Sequence, residues 1–326
     1  MILKWRRIIA YCVGRKLSNG SIVVKQTLNT LLSQFKHREV RDLAWVIASP
    51  PLVSGKLDDV HWWSYEDCLS EFDDCLTELK KLDLNPTPLI HHLSELQNRR
   101  LGSIFEGFIS FWLEISPNFR ELQKNIQIIE DKHTYGEIDY IIENTKTDEV
   151  IHLEVAVKFY LGCTPYEDAY RWFGTNTKDQ LGKKIDHLKS HQTQLSTKYP
   201  SQLKNYFDRK IDKKQCFIKG RLFYPENSNT SPQNIELAKD HLRGRWCYVA
   251  ERNKTVDAIK VNKSHWLAEL NSADITDMAF ASIESINTID RAECYVETNK
   301  NNADSFEEER VFYLPSAFSF PKNDRT

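Results

Sequence analysis

The chain has 326 residues, 40% hydrophobic and 28% charged, with a formal net charge of −2. That length admits one large domain or two small ones with a sizeable core, and the composition is ordinary for a soluble globular protein. The near-neutral balance excludes a global electrostatic demand for nucleic acid or membrane, and seven scattered cysteines without CxxC spacing exclude a zinc or disulfide framework and fit a reducing cytoplasm.

The chain opens basic and then apolar between Met1 and Gly14. That apolar run is too short for a membrane span and lacks the h-region and cleavage site of a signal peptide. Residues 1–34 therefore read as a basic, loose extension, and no membrane contact is expected. Residues 1–50 carry nine Lys or Arg against two acids, whereas Asp58 to Asp83 carries nine acids. Leu69, Phe72, Leu76 and Leu79 recur there at helical spacing, so 58–83 reads as an amphipathic helix inside a helical region, 35–87. Its acidic face is a solvated surface or a docking surface for a protein partner.

The next stretch, 88–225, reads as a core. A helix is expected from Pro88 to Ile115, with Leu101, Ile104, Phe105, Phe108, Trp112 and Ile115 on one face. A strand is expected at Asn125–Glu130. Two runs rich in Ile, Val, Phe and Tyr follow, 136–142 and 150–161, joined by the polar turn Asn144–Glu149. They read as an antiparallel hairpin. With the turn centred near Lys146–Thr147, Asp139 falls opposite Glu154 on one face. Two ionised carboxylates that close repel unless a cation joins them or one stays protonated. Lys158 shares the Glu154 face, because 154, 156 and 158 alternate together. The economical explanation is a divalent-metal site with a lysine beside it. A helix at Thr177–Gln194 and a strand at Cys216–Tyr224 complete the order α-β-β-β-α-β. Beyond Pro225–Pro232, a loop, residues 226–326 read as a C-terminal extension with strands at Gly244–Glu251 and Glu309–Leu314 and a short helix at His265–Leu270.

Other residues are candidates for chemistry. Gln180, Lys184, His187 and His191 form a polar stripe on the 177–194 helix. From Lys178 to Lys219 there are eleven Lys or Arg against four Asp, a local excess suited to phosphates or to a plain solvated surface. His187 and His191 have metal-pair spacing but no third ligand in sequence, and His91-His92 offers no more. Glu106 has the small helical neighbours Gly102, Ser103 and Ser110, which leave room beside it. Glu137 reads as the solvated end of its strand. The tryptophans, including the Trp172-Phe173-Gly174 run, read mainly as core.

The order α-β-β-β-α-β, with Asp139, Glu154 and Lys158 on the hairpin, resembles the PD-(D/E)XK nuclease superfamily. The resemblance implies an α/β, restriction-endonuclease-like fold with a mixed central sheet. It implies a nuclease acting on DNA or RNA with Mg2+ or Mn2+ held by Asp139, Glu154 and Glu106. Lys158 would assist catalysis, and Gln180, Lys183 and Lys184 would bind substrate. The superfamily's lysine usually stands two residues after the acid. That position is Ala156 here, and Lys158 lies one step further. Two rival readings follow: a fold that binds nucleic acid without cutting it, and a protein-interaction module. More narrowly, Arg41–Pro51, Leu153–Gly162 and Asp179-Gln180-Leu181 resemble a bacterial domain-of-unknown-function family, number 1853.

Overall fold

A computed structural model describes residues 20–226, 236–252, 257–276, 278–298, 307 and 309–322. Most of the expected loose extension, the tip of the loop after Pro225 and the last four residues lie outside that description. The elements that matter here run in this order: α1 (Gly20–Leu32), α2 (Arg38–Ala48), β1 (Gly55–Leu57), β2 (Val60–Trp62), α3 (Tyr65–Leu84), α4 (Thr87–Ser94), α5 (Leu101–Ile115), β3 (Phe119–Glu130), β4 (His133–Asn144), β5 (Val150–Gly162), β6 (Trp172–Phe173), α6 (Leu181–Ser190), α7 (Leu195–Lys198), β7 (Lys213–Pro225), β8 (Arg243–Tyr248), β9 (Asp257–Lys260), β10 (Glu293–Thr298) and β11 (Glu309–Leu314).

The fold is mixed α/β. Its eleven-stranded sheet runs β3-β4-β5-β7-β8-β11-β10-β9, with β6 attached to β5 and β2, carrying β1, attached to β7. β5, β7, β8 and β11 run parallel, while β3, β4, β10 and β9 join their neighbours antiparallel. β5 lies near the middle and is apolar at most positions, the pattern of a strand covered on both faces. Leu153 and Val155 pack into a cluster with α2, α3 and α5, whereas Ala156 and Tyr160 face Leu181, Ile185 and Leu188 of α6. The strands after residue 226 extend the same sheet. Phe159, Leu161 and Phe223 share a core cluster with Trp246, Trp266 and Phe312.

β5 and β7 approach each other more closely than side chains normally allow. Gly220, at φ +142°, sits where a Cβ would lie 1.7 Å from the Lys158 carbonyl oxygen. Only glycine fits there, so that one residue lets β7 seat against β5 along the lysine-bearing stretch.

Several expected elements need correction. Residues 20–32 form α1, whose Val24, Leu28, Leu31 and Leu32 are buried at helical spacing. The helix expected over 88–115 is two helices. The chain turns after Ser94, and α4 folds back so that Leu96 meets Gly107 of α5, whose missing side chain makes the room. The acidic stretch begins as the β1–β2 hairpin, and its helix starts only at Tyr65, behind a capping box between Ser64 and Asp67. Its acids are largely engaged within the chain. Asp83 accepts from the Lys36 and His37 backbone amides, and Asp74 from Asn118. Glu71 is 3% exposed and accepts from Trp112 Nε1, Ser116 Oγ, Asn118 Nδ2 and Cys75 Sγ. The 177–194 helix is the shorter α6, and 3-10 turns occupy 192–194 and 263–265. Trp62, Trp63, Trp112 and Trp172 are core. No described helix is long and apolar enough to cross a membrane.

Candidate functional site

The β4–β5 ladder runs from Glu143↔Val150 to Tyr140↔Leu153 and stops. The next facing pair is Asp139 and Glu154, at the point where the two strands part. Side chains take over from ladder bonds there. Asp139 N donates to Glu154 Oε1 at 3.4 Å, and Val155 N donates to Asp139 Oδ2 at 2.9 Å. The two expected carboxylates are therefore neighbours on the α6 side of the sheet.

Glu154 is fully buried, and each of its oxygens has a partner. His152, also fully buried and two residues earlier on the same face, places Nε2 2.8 Å from Glu154 Oε1 and Nδ1 2.8 Å from Ser196 Oγ of α7. Gln192 donates Nε2 to Glu154 Oε2 at 2.7 Å, and Lys184 of α6 donates to Gln192 Oε1 at 2.9 Å. A continuous chain of hydrogen bonds thus runs Ser196–His152–Glu154–Gln192–Lys184. Ser196 also belongs to the wall of an open groove of about 870 Å³.

The electrostatics follow from burial. Desolvation, then the charge of Glu154, lifts the Asp139 carboxyl to about 7. Desolvation likewise lifts Glu154, against the opposing pull of Lys184. Two buried carboxylates this close share a proton near neutral pH unless a cation joins them. Burial holds His152 down at about 3, so its ring is neutral. Burial also lowers the Lys184 pKa, while Glu154 and then Asp139 raise it.

The remaining expected residues are distributed around this pair. Glu106 of α5 is exposed; crowding around its carboxyl, then the charges of Asp139 and Glu137, raise its pKa. It borders a smaller cavity of about 320 Å³ with Ser110, Lys124 and Tyr140. Lys158 does not reach the carboxylate pair by any hydrogen bond. It donates to Asp179 Oδ2 at 2.8 Å, and Tyr160 OH holds Asp179 Oδ1 at 3.0 Å. The reason is distance: four residues of strand span about 13 Å, so shared face is not shared location. Lys184, expected to touch substrate, is the lysine within charge range of both carboxylates. Lys183 is exposed, about a quarter-turn away on α6. Gln180 is turned aside, donating to the Tyr170 carbonyl at 3.1 Å. Glu137 is exposed, and the His187 and His191 rings stack 4.7 Å apart.

Sequence reasoning missed His152, Gln192, Ser196 and Asp179. A polar His152 inside an apolar strand, on the Glu154 face, was the available signal. The others depend on how the chain returns after β5 and α6.

Among the described residues, no three His, Cys, Asp or Glu side chains converge on one point. Neither a closed zinc cage nor the expected three-acid set of Glu106, Asp139 and Glu154 is therefore built, and only Asp139 and Glu154 stand together. Two adjacent carboxylates, each lifted by burial and one raised further by its neighbour's charge, fit a hard divalent cation that keeps several waters.

A family model described as "Domain of unknown function (DUF1853)" matches residues 41–314. No curated protein and no solved structure matches the chain.

Proposed function

We propose that this chain, which belongs to the DUF1853 family, is a metal-dependent phosphodiesterase of the PD-(D/E)XK type acting on DNA or RNA. One observation carries the reading. Asp139 and Glu154 meet where an antiparallel hairpin splits, with a lysine in charge range of both. The order of α5, β3, β4, β5, α6 and β7 supports it, as does the parallel pairing of β5 with β7. When bound, Mg2+ or Mn2+ supplies Lewis acidity toward the phosphate and lowers the pKa of a coordinated water.

The chain's own residues do the rest. Asp139 and Glu154 would hold the cation, and Glu106 would add negative charge nearby. His152 and Gln192 orient Glu154 through hydrogen bonds of 2.8 and 2.7 Å. Lys184, steered by Gln192, sits where it can stabilise negative charge developing on phosphate oxygens. Lys158, fixed by Asp179, contributes positive potential further along β5. Lys183 offers an exposed charge for a neighbouring phosphate. With the Asp139 carboxyl raised to about 7, a cation would have to displace a proton near neutrality, so its affinity would rise with pH.

A second reading keeps the fold and drops the chemistry. The Lys158–Asp179 ion pair and the hydrogen bonds to both Glu154 oxygens favour a nuclease-like module that binds nucleic acid or a protein without cutting. Incubating the protein with labelled single- and double-stranded DNA and RNA, plus Mg2+ or Mn2+, separates the two. Cleavage lost in Asp139→Asn supports the enzyme; a mobility shift without cleavage supports the binding module.

A further inference from the structure

His152 has no opening to solvent, yet both ring nitrogens have partners at 2.8 Å. A neutral imidazole donates from one nitrogen and accepts at the other, so the two partners together select the tautomer. Three donors converge on Glu154. Asp139 N reaches Oε1, Gln192 Nε2 reaches Oε2, and the His152 ring faces Oε1. The orientation of Gln192 is not free, because Lys184, a donor only, occupies its Oε1 at 2.9 Å. With a cation bound, Glu154 is ionised and is therefore an acceptor on both oxygens. The proton of His152 then belongs on Nε2, and Nδ1 must accept. Only the Ser196 hydroxyl is in place to donate to it.

We propose that Ser196 and His152 are positioning residues. Ser196 locks His152 in its Nε2–H tautomer, and that tautomer fixes Glu154 Oε1 and keeps the buried carboxylate beside Asp139 as an acceptor for the cation. The inference rests on the metal-site reading above and names two residues for it that touch neither metal nor substrate. Without the Ser196 hydroxyl, the Nδ1–H tautomer becomes accessible and turns a lone pair toward Glu154 Oε1. Partners that orient a ligand in this way typically change metal affinity about 10- to 100-fold.

Two readouts test it. Nitrogen-15 spectra of histidine-labelled protein report the tautomer directly. Electron paramagnetic resonance of free Mn2+ reports cation affinity without any substrate. The wild type should show Nε2–H at His152, and Ser196→Ala a mixture with Nδ1–H, with the thermal midpoint showing that the variant is folded. Mn2+ affinity should fall about tenfold in Ser196→Ala and recover in Ser196→Thr, which restores the hydroxyl. In a His152→Gln background, which has no tautomers, Ser196→Ala should have no further effect. An Nδ1–H wild type, an unchanged affinity in Ser196→Ala, or an equal loss in the His152→Gln background overturns the proposal while leaving the cation site standing. If the wild type takes up no Mn2+, the cation reading fails and this proposal with it.

Discussion

Replacing Asp139 by Asn should stabilise the protein above neutral pH and leave its stability unchanged in acid. Burial lifts the Asp139 carboxyl from 3.8 to about 7. Between those values the folded state keeps a proton that the unfolded chain releases, so wild-type stability falls as pH rises through that window and levels off above 7. Each pH unit is worth about 1.4 kcal/mol, which sets a ceiling of about 4 kcal/mol. Asparagine does not titrate. Its carbonyl can still accept from Val155 N, and its amide can donate to Glu154. The variant should therefore gain roughly 2–4 kcal/mol at pH 8 and nothing below about pH 4. For a chain of this length that is about 3–6 °C in the midpoint. Adding Mg2+ should shrink or close that gap. A cation at 100 times its Kd adds about 2.7 kcal/mol to the wild type only, because the amide is a poorer ligand. Denaturation curves at pH 4, 6 and 8, with and without Mg2+, measure all of this. A stability difference that does not vary with pH would refute the carboxylate-pair argument.

Lys184→Ala should lower cleavage by about 10² to 10³, the usual loss when a charge-stabilising donor is removed, whereas Lys158→Ala should lose far less. Single-turnover rates decide which lysine acts at the carboxylates. Lys183→Glu should weaken nucleic-acid binding with little effect on the single-turnover rate. It should also reduce the slope of log affinity against log salt by about one, and equal slopes would move the phosphate track elsewhere. Glu71→Ala should cost about 3–5 kcal/mol, because the Trp112, Ser116 and Asn118 donors lose a buried charged acceptor together. Urea denaturation reads that loss, and Glu71→Gln should be milder.

The carboxylate pair was legible because hairpin register follows from the turn, and register fixes which residues face each other. Lys184 was legible as part of a helical stripe, although its reach to the carboxylates was not. Lys158 misled because alternation gives the face of a strand and says nothing of distance along it. Glu71 misled in the opposite sense. An acid at helical spacing from other acids reads as solvated, and the donors that bury it come from α5 and the turn after it. Ser196 and Gln192 carry no local pattern at all; their role exists only once the segment after α6 returns over β5. The place of β11 beside β8 was equally hidden, since a parallel neighbour more than sixty residues away leaves no periodic trace.

The unbroken sheet has a bearing on how damage spreads. Phe159 and Leu161, a few residues beyond Glu154 on the same strand, share their core with Trp246 and Phe312 near the end of the chain. The carboxylate hairpin and the last strands are therefore expected to melt as one cooperative body rather than as a hairpin with a detachable tail. A cavity opened at Phe312 is felt at Asp139 and Glu154 as lost occupancy of the folded state, with no contact between them. Screens for inactive variants should then recover substitutions far along the chain that leave every residue of the site intact.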